Sequence, residues 1–304
     1  MLYLGDAPVP HAAAAVRAVR EAGLRVAFVT NNSSLRPAVV AERLSALDIP
    51  ASADQVVTSG QAAARMVAAR VPSGAAVLVL GTHALADEVA EAGLRPVRTM
   101  AAAGVAGVLA VVQGLSPQTC QADLAEAAVA LRAGALWVAG NTDATLPSPR
   151  GPLPGNGAFV ASLRLVTGLE PLVAGKPNPA LHLESIQRVG GRRPLVIGDR
   201  LDTDVLGAVR AGADSLLVLT GVVDREELLR APAGRRPTYV STDLRGLLEP
   251  HPEAVVVGEV ARCGAVTARY QDSAVRVDGK GDDALRAQAA LAWACADAGW
   301  PLAF

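Results

Sequence analysis

The chain has 304 residues, with 28 Lys and Arg against 29 Asp and Glu for a formal net charge of −1, and 51% of its residues are hydrophobic. That length accommodates two domains with full cores and a small third unit. The balanced, mixed charge provides no extended basic surface for nucleic acid, and the longest apolar run, residues 101–112, is too short and glycine-interrupted to cross a bilayer, so neither partner is expected.

The chain opens on MLYLGDAPVP, whose apolar residues read as the end of a strand. Residues 12–22 carry Val16 and Val19 at helical spacing up to Gly23, and LRVAFVT (24–30) is a β-rich run. Thr30-Asn31-Asn32-Ser33-Ser34 follow, ahead of a helix with Val40, Leu44 and Leu47 on one face. Small hydrogen-bonding residues between a strand and a helix bind an oxyanion through hydroxyl, amide and backbone N–H groups. Ser33 or Ser34 equally fits an ordinary helix cap.

A second α/β series occupies the middle of the chain. Helices are expected over 59–69, 85–92 and 117–132, alternating with strands over 77–80, 107–112 and 135–139. Gly140-Asn141-Thr142-Asp143 comes next, then a proline- and glycine-rich loop over 145–157, then a helix with Phe159, Leu163 and Val166 on one face. Asn141 and Asp143 read either as contacts to a hydroxylated substrate or as members of a tight turn.

A strand over 171–174 delivers Gly175-Lys176-Pro177. The chain has only two lysines, Lys176 and Lys280, so one placed at a strand end is conspicuous, and its charge suits a phosphate. After a helix over 179–189, the stretch LVIGDRLDTDVLGAVRAG (195–212) reads as strand, acidic turn and helix, and a strand over 215–219 completes a doubly wound parallel layout. Asp199 and Asp204 thus stand at the carboxyl end of a parallel strand, where open α/β sheets place ligands and where Mg²⁺ finds oxygen donors. Asp202 alone would fit a helix cap.

Residues 243–304 give several short β-like runs and an amphipathic helix over 282–298, a small α+β unit. His11, His83, His182 and His251 lack ligand spacing. Cys120, Cys263 and Cys295 form no CxxC pair, which argues against a disulfide framework or zinc site and for a reducing cytoplasm.

VAFVTNNSS (26–34), GKPNP (175–179) and LVIGDRLDTDVLGA (195–208) together resemble three of the four motifs of haloacid dehalogenase (HAD) superfamily phosphatases, in order and spacing. GNTDATLPSPRGPLPGNGA (140–158) resembles the α/β cap of the branch holding p-nitrophenyl phosphatase-like and phosphoglycolate phosphatase-like enzymes. The resemblance implies a Rossmann-like core of residues 1–58 with 170–242, a cap of 59–169, and an extension of 243–304. The extension is similar in position and size to the acetyltransferase-like tail of actinobacterial members, some of which hydrolyse glycerol 3-phosphate.

Carried over by position, the resemblance implies a Mg²⁺-dependent phosphatase of a small phosphorylated metabolite, such as glycerol 3-phosphate or phosphoglycolate, acting through an aspartyl-phosphate. Thr30, Asn31, Asn32 and Lys176 would bind the phosphoryl group, with Asn141 and Asp143 toward the substrate. Asp199 would ligate Mg²⁺ and Asp204 would support it. The family's first motif, DxDG, holds the nucleophile and the general acid–base, and its tail is in register with MLYLGD, so both aspartates are expected upstream of Met1. The 304 residues alone are expected to be inactive. A phosphoester-binding protein without catalysis is the alternative, and a second copy of the chain is the macromolecular partner considered.

Overall fold

A computed structural model describes residues 1–4, 7–146 and 150–303. Part of the opening MLYLGD (Gly5 and Asp6) and part of the 145–157 loop (147–149) lie outside the described residues. The chain forms two compact units: Met1–Val26, Leu47–Pro50 and Gly191–Phe304 make one, and Ala27–Ala46 with Ala51–Gly190 make the other.

The second unit is built on a five-stranded parallel sheet in the order Leu172–Val173, Leu136–Ala139, Ala110–Gln113, Ala76–Leu80, Arg95–Val97. Its strand AVLVL is buried throughout, the continuous apolar run that a parallel sheet covered on both faces requires. The alternation is still visible in the packing. Val77 and Val79 join Leu85 and Leu181 on one face, whereas Ala76, Leu78 and Leu80 join Leu131, Trp137 and Leu163 on the other. The helix Ser59–Ala68 begins at a reciprocal cap, in which the Thr58 hydroxyl accepts from Gln61 N–H and the Gln61 amide oxygen accepts from Thr58 N–H, each at 3.2 Å. A separate parallel pair, Phe28–Thr30 with Val56–Thr58, belongs to the same unit.

The first unit holds a three-stranded parallel sheet, Leu195–Gly198, Asp214–Val218 and Tyr239–Ser241. It also holds a four-stranded antiparallel sheet, Val255–Val257, Val260–Cys263, Val266–Gln271 and Ala274–Val277. The helix Asp282–Asp297 serves both. Its Leu285, Ala289 and Ala292 pack with Leu217, Leu228 and Val240, while Ala287, Leu291 and Cys295 pack on Ala261, Cys263 and Ala268. Two apolar stripes on one helix therefore hold the antiparallel sheet in the same compact unit as residues 191–242.

The parallel α/β architecture and the α+β character of residues 243–303 match expectation. The compact units cut the chain differently from the expected boundaries, because residues 27–46 and 171–190 pack with the middle of the chain. Other expectations shift locally. Of 24–30 only Phe28–Thr30 is strand, since its partner strand is three residues long. Leu172–Val173 pairs with Leu136–Ala139 instead of with residues 195–198, completing a strand–helix–strand crossover through the helix Asn156–Thr167. That helix buries Asn156, Val160 and Leu163, so Val166 faces solvent at 57% exposure.

Candidate functional site

Within the second unit, three loops that leave the carboxyl ends of parallel strands converge on Asn31. Its side-chain oxygen accepts from Lys176 N–H at 2.8 Å, and its amide nitrogen donates to the Lys176 carbonyl at 3.3 Å. This two-way pairing clamps the backbone of Lys176 as a neighbouring strand would. The same amide nitrogen reaches the Asp143 carboxylate at 3.3 and 3.4 Å. The Asn31 carbonyl accepts from the Asn141 amide at 2.7 Å and from the Ser59 hydroxyl at 2.6 Å. Asn141 is held in turn, for its carbonyl accepts from the amide of Asn156, a residue 1% exposed, at 2.7 Å.

Close approach requires glycine at Gly175. A Cβ there would stand 2.5 Å from the Gly140 carbonyl and 2.8 Å from the Asn31 side-chain oxygen. The peptide that follows Lys176 is cis.

The turn 30–34 is fastened from inside. Thr30 Oγ1 accepts from Asn32 N–H at 3.1 Å, and Asn32 Oδ1 accepts from the N–H groups of Ser34 at 2.7 Å and Leu35 at 3.0 Å. Asn32 therefore closes the turn, while the helix Pro37–Ser45 starts from Arg36 with no side-chain cap, so the cap expected of Ser33 or Ser34 is not made. Ser33 is buried against Gly114 and Gly140, and the Ser34 hydroxyl donates to the Leu115 carbonyl. Both serines attach the turn to the sheet ends and cap no helix. Thr30, Asn31, Asn32, Asn141, Asp143 and Lys176 are thus gathered in one unit.

The acidic turn lies in the first unit. Leu195–Gly198 ends at Asp199, and a π-helical turn, Leu201–Val205, carries Asp202 and Asp204 into the helix Leu206–Ala211. Asp204, 6% exposed, accepts from Asp199 N–H at 3.2 Å. Asp199 Oδ2 accepts from Val222 N–H at 3.3 Å and lies 3.2 Å from the Met1 ammonium. Two glycines make room: a Cβ at Gly198 would collide with the Asp204 side chain at 2.2 Å, and one at Gly221 would lie 1.7 Å from Asp199 Oδ2. Asp202 is set apart. The Arg200 guanidinium forks onto it at 2.7 and 3.0 Å and holds its carboxyl below the usual carboxylate range, so Asp202 pairs with Arg200 where a cap had been considered.

Among the described residues no three His, Cys, Asp or Glu side chains cluster as a metal cage. Asp199 fits a hard cation as a single ligand, since carboxylate oxygens are hard donors and this side chain stands just past the end of the strand Leu195–Gly198. Mg²⁺ commonly takes one or two protein carboxylates and fills its shell with water or phosphate. Sequence reasoning missed Asn156, Ser59 and the clearance glycines. Asn156 carried one visible signal, an amide at the start of a helix behind a glycine.

Residues 1–95 match the family model described as haloacid dehalogenase-like hydrolase, and residues 173–247 match a HAD-hydrolase-like model. The chain is 53% identical over 233 residues to D-glycerol 3-phosphate phosphatase of Mycobacterium tuberculosis, a match covering 77% of this chain and 65% of that protein's length. It is 35% identical over 230 residues to the 5′-nucleotidase YutF of Bacillus subtilis, covering 75% of this chain and 86% of that one. Among solved structures, the M. tuberculosis glycerol phosphate phosphatase in complex with magnesium superposes with a TM-score of 0.84 at 45% identity, covering 98% of this chain and 88% of that one.

Proposed function

The chain belongs to the haloacid dehalogenase-like hydrolases, and we propose that it is a Mg²⁺-dependent phosphatase of a small phosphorylated metabolite, with glycerol 3-phosphate the first substrate to test. The observation that carries this reading is the Asn31 clamp, which brings the turn of Thr30, the Asn141–Asp143 loop and the backbone of Lys176 into one hydrogen-bonded assembly. Such an assembly presents a hydroxyl and an ammonium from loops whose positions are fixed beforehand, as electrostatic stabilisation of a phosphoryl group in transfer requires.

In this mechanism Lys176 offsets charge on the equatorial phosphoryl oxygens, and Thr30 donates a hydrogen bond to one of them. Asn31 holds both in register, while Asn32 shapes the turn that presents them. Asn141 and Asp143 meet the polar, hydroxylated part of the substrate. Asp199 would hold Mg²⁺, with Asp204 fixing the backbone of Asp199 through its N–H. Mg²⁺ supplies charge neutralisation at the phosphate when bound.

The nucleophilic aspartate and the general acid–base aspartate are proposed to come from residues preceding Met1, and an aspartyl-phosphate would divide the hydrolysis into two steps. The division proposed for this activity is a core of residues 1–58 with 170–242, a cap of 59–169 and an extension of 243–304.

The deciding experiment measures phosphate release from glycerol 3-phosphate and p-nitrophenyl phosphate by two proteins. One is the 304-residue chain, and the other is extended upstream along its reading frame to include a DxDG segment. Mg²⁺-dependent turnover by the extended protein alone is expected. Turnover by the 304 residues would overturn the placement of the nucleophile. An in-frame stop upstream with no DxDG, together with phosphoester binding but no turnover, would favour the non-catalytic binding protein.

A further inference from the structure

The antiparallel sheet of the first unit is covered on one face only. Ala261, Cys263 and Ala268 point to the helix Asp282–Asp297 and are buried. The other face is built from the alternate positions, and every residue on it is half-buried or exposed. Three consecutive strands each place an arginine there: Arg262, Arg269 and Arg276. Arg269 stands directly opposite Arg276, and Arg262 faces Thr267, two residues before Arg269. Opposed side chains on such a ladder have Cβ atoms about 5 Å apart and diagonal ones about 7–8 Å, so the three guanidinium groups form one patch.

Several observations set this patch apart from ordinary surface charge. No strand residue on this face is acidic. Among the described residues none of the three arginines has a hydrogen-bond or ion-pair partner, although most other arginines of this unit do. Like charges directly opposite on a ladder destabilise it, so Arg269 and Arg276 carry a cost with no internal compensation. Beside them the edge strand exposes Val255 and Val257, at 60% and 74%.

We propose that this face docks an acidic polypeptide segment of a partner protein, its carboxylates over Arg262, Arg269 and Arg276 and its small apolar side chains over Val255 and Val257. Charge complementarity selects an anion, and planar guanidinium groups bind carboxylates in bidentate fashion. An uncovered sheet face argues for a macromolecule, because small ligands take concave sites. Three cations release too few counterions to retain nucleic acid at physiological salt, where protein–DNA contacts number about 6–10 phosphates. Two valines without an aromatic or leucine companion give too little apolar area to enter a lipid surface. An acidic segment with an apolar flank uses both halves of the face, as protein interfaces combine arginine with apolar contact.

The test uses the full 304-residue chain and a fluorescein-labelled peptide with a glutamate-rich half and a valine–serine half, read by fluorescence anisotropy. Saturable binding is expected, weakening at least about tenfold between about 50 and 300 mM NaCl and lost in R262E/R269E/R276E. The variant Arg276→Thr relieves the opposed charges, so it should melt no lower than the parent and still bind at least about threefold more weakly. That second variant keeps the test decisive if the triple variant fails to fold. Undiminished binding by Arg276→Thr, or no binding by the parent, overturns the proposal. So does tighter capture of phosphatidylserine vesicles or single-stranded DNA than of the peptide, which would assign the face to a membrane or to nucleic acid. None of these readouts depends on phosphatase activity.

Discussion

The Asn31 assembly and the Asp199 turn sit at the ends of similar parallel strands, but they are held by opposite means. Around Asn31, side chains hold backbones: amides of Asn156, Asn141 and Asn31 bridge successive carbonyls until they reach Lys176. Around Asp199, backbones hold side chains: N–H groups of Asp199 and Val222 point at carboxylates, and glycines clear the space. The first arrangement is built on amides, interlocked and sensitive to the loss of any donor. The second keeps negative charge in place and is sensitive to bulk. In the proposed function, phosphate recognition falls to the fixed loops and cation binding to the carboxylate of Asp199.

The sharpest way to break this comparison is Asp199→Asn in the upstream-extended protein. It removes charge but little packing, so phosphatase turnover should fall about 10²–10³-fold and lose its Mg²⁺ dependence. The melting temperature should move by no more than about 2 °C, since the two contacts at Asp199 Oδ2, from Val222 N–H and Met1 N, are long and an amide oxygen in its place can still accept them. A large fall in melting temperature would make Asp199 a structural residue. Gly175→Ala probes the other arrangement. Its Cβ meets a backbone carbonyl and the clamping side chain of Asn31, which cannot both yield. A loss of about 1–3 kcal/mol in unfolding free energy is expected by chemical denaturation of the 304-residue chain.

Asn31→Asp separates donor from shape. The substitution keeps the acceptor facing Lys176 N–H but sets an oxygen against the Asp143 carboxylate and the Lys176 carbonyl. It should cost about 1–3 kcal/mol at pH 7. The repelled carboxyl would titrate above its unfolded value, so the native state would bind the proton more tightly. The deficit should therefore shrink as pH falls through that raised value. A pH-independent deficit would mean that the lost donor, and not repulsion, dominates.

What the sequence disclosed about these two regions follows from the range of the forces involved. Strand ends, turns and helices are written locally, and Thr30, Asn141, Lys176 and Asp199 stand out in the sequence because each ends or follows a short apolar run. The clearance at Gly175 and Gly221 arises only when residues distant in sequence meet, 35 positions for Gly140 and 22 for Asp199. Asn156 was hidden for another reason. Reading the helix from its apolar residues alone set Phe159, Leu163 and Val166 on the buried face, whereas the face that is buried keeps Leu163 but turns to Asn156 and Val160. The arginine face stayed invisible because its charges lie on three strands, and only the register brings them together.

Glu88 offers the mildest and most diagnostic comparison, being a buried carboxylate with no hydrogen-bond donor among the described residues. Burial, reinforced by the nearby Glu91, pushes its carboxyl up to about 7, against the partial offset of Arg188 and Arg65. A raised native value means that the folded chain binds this proton more tightly than the unfolded chain. The resulting stabilisation is fully present below pH 4.5, declines as pH rises from there, and is gone above about 7. Glu88→Gln removes the titration. The variant should therefore gain on the parent as pH rises from 5 to 8, by about 1 kcal/mol or 2–4 °C in melting temperature at pH 8. Melting curves at a series of pH values would show whether the difference levels off near 7. A difference independent of pH would mean that Arg65 and Arg188 neutralise Glu88 in the folded chain, and that a carboxylate there needs no N–H donor of the kind Asp204 receives from Asp199.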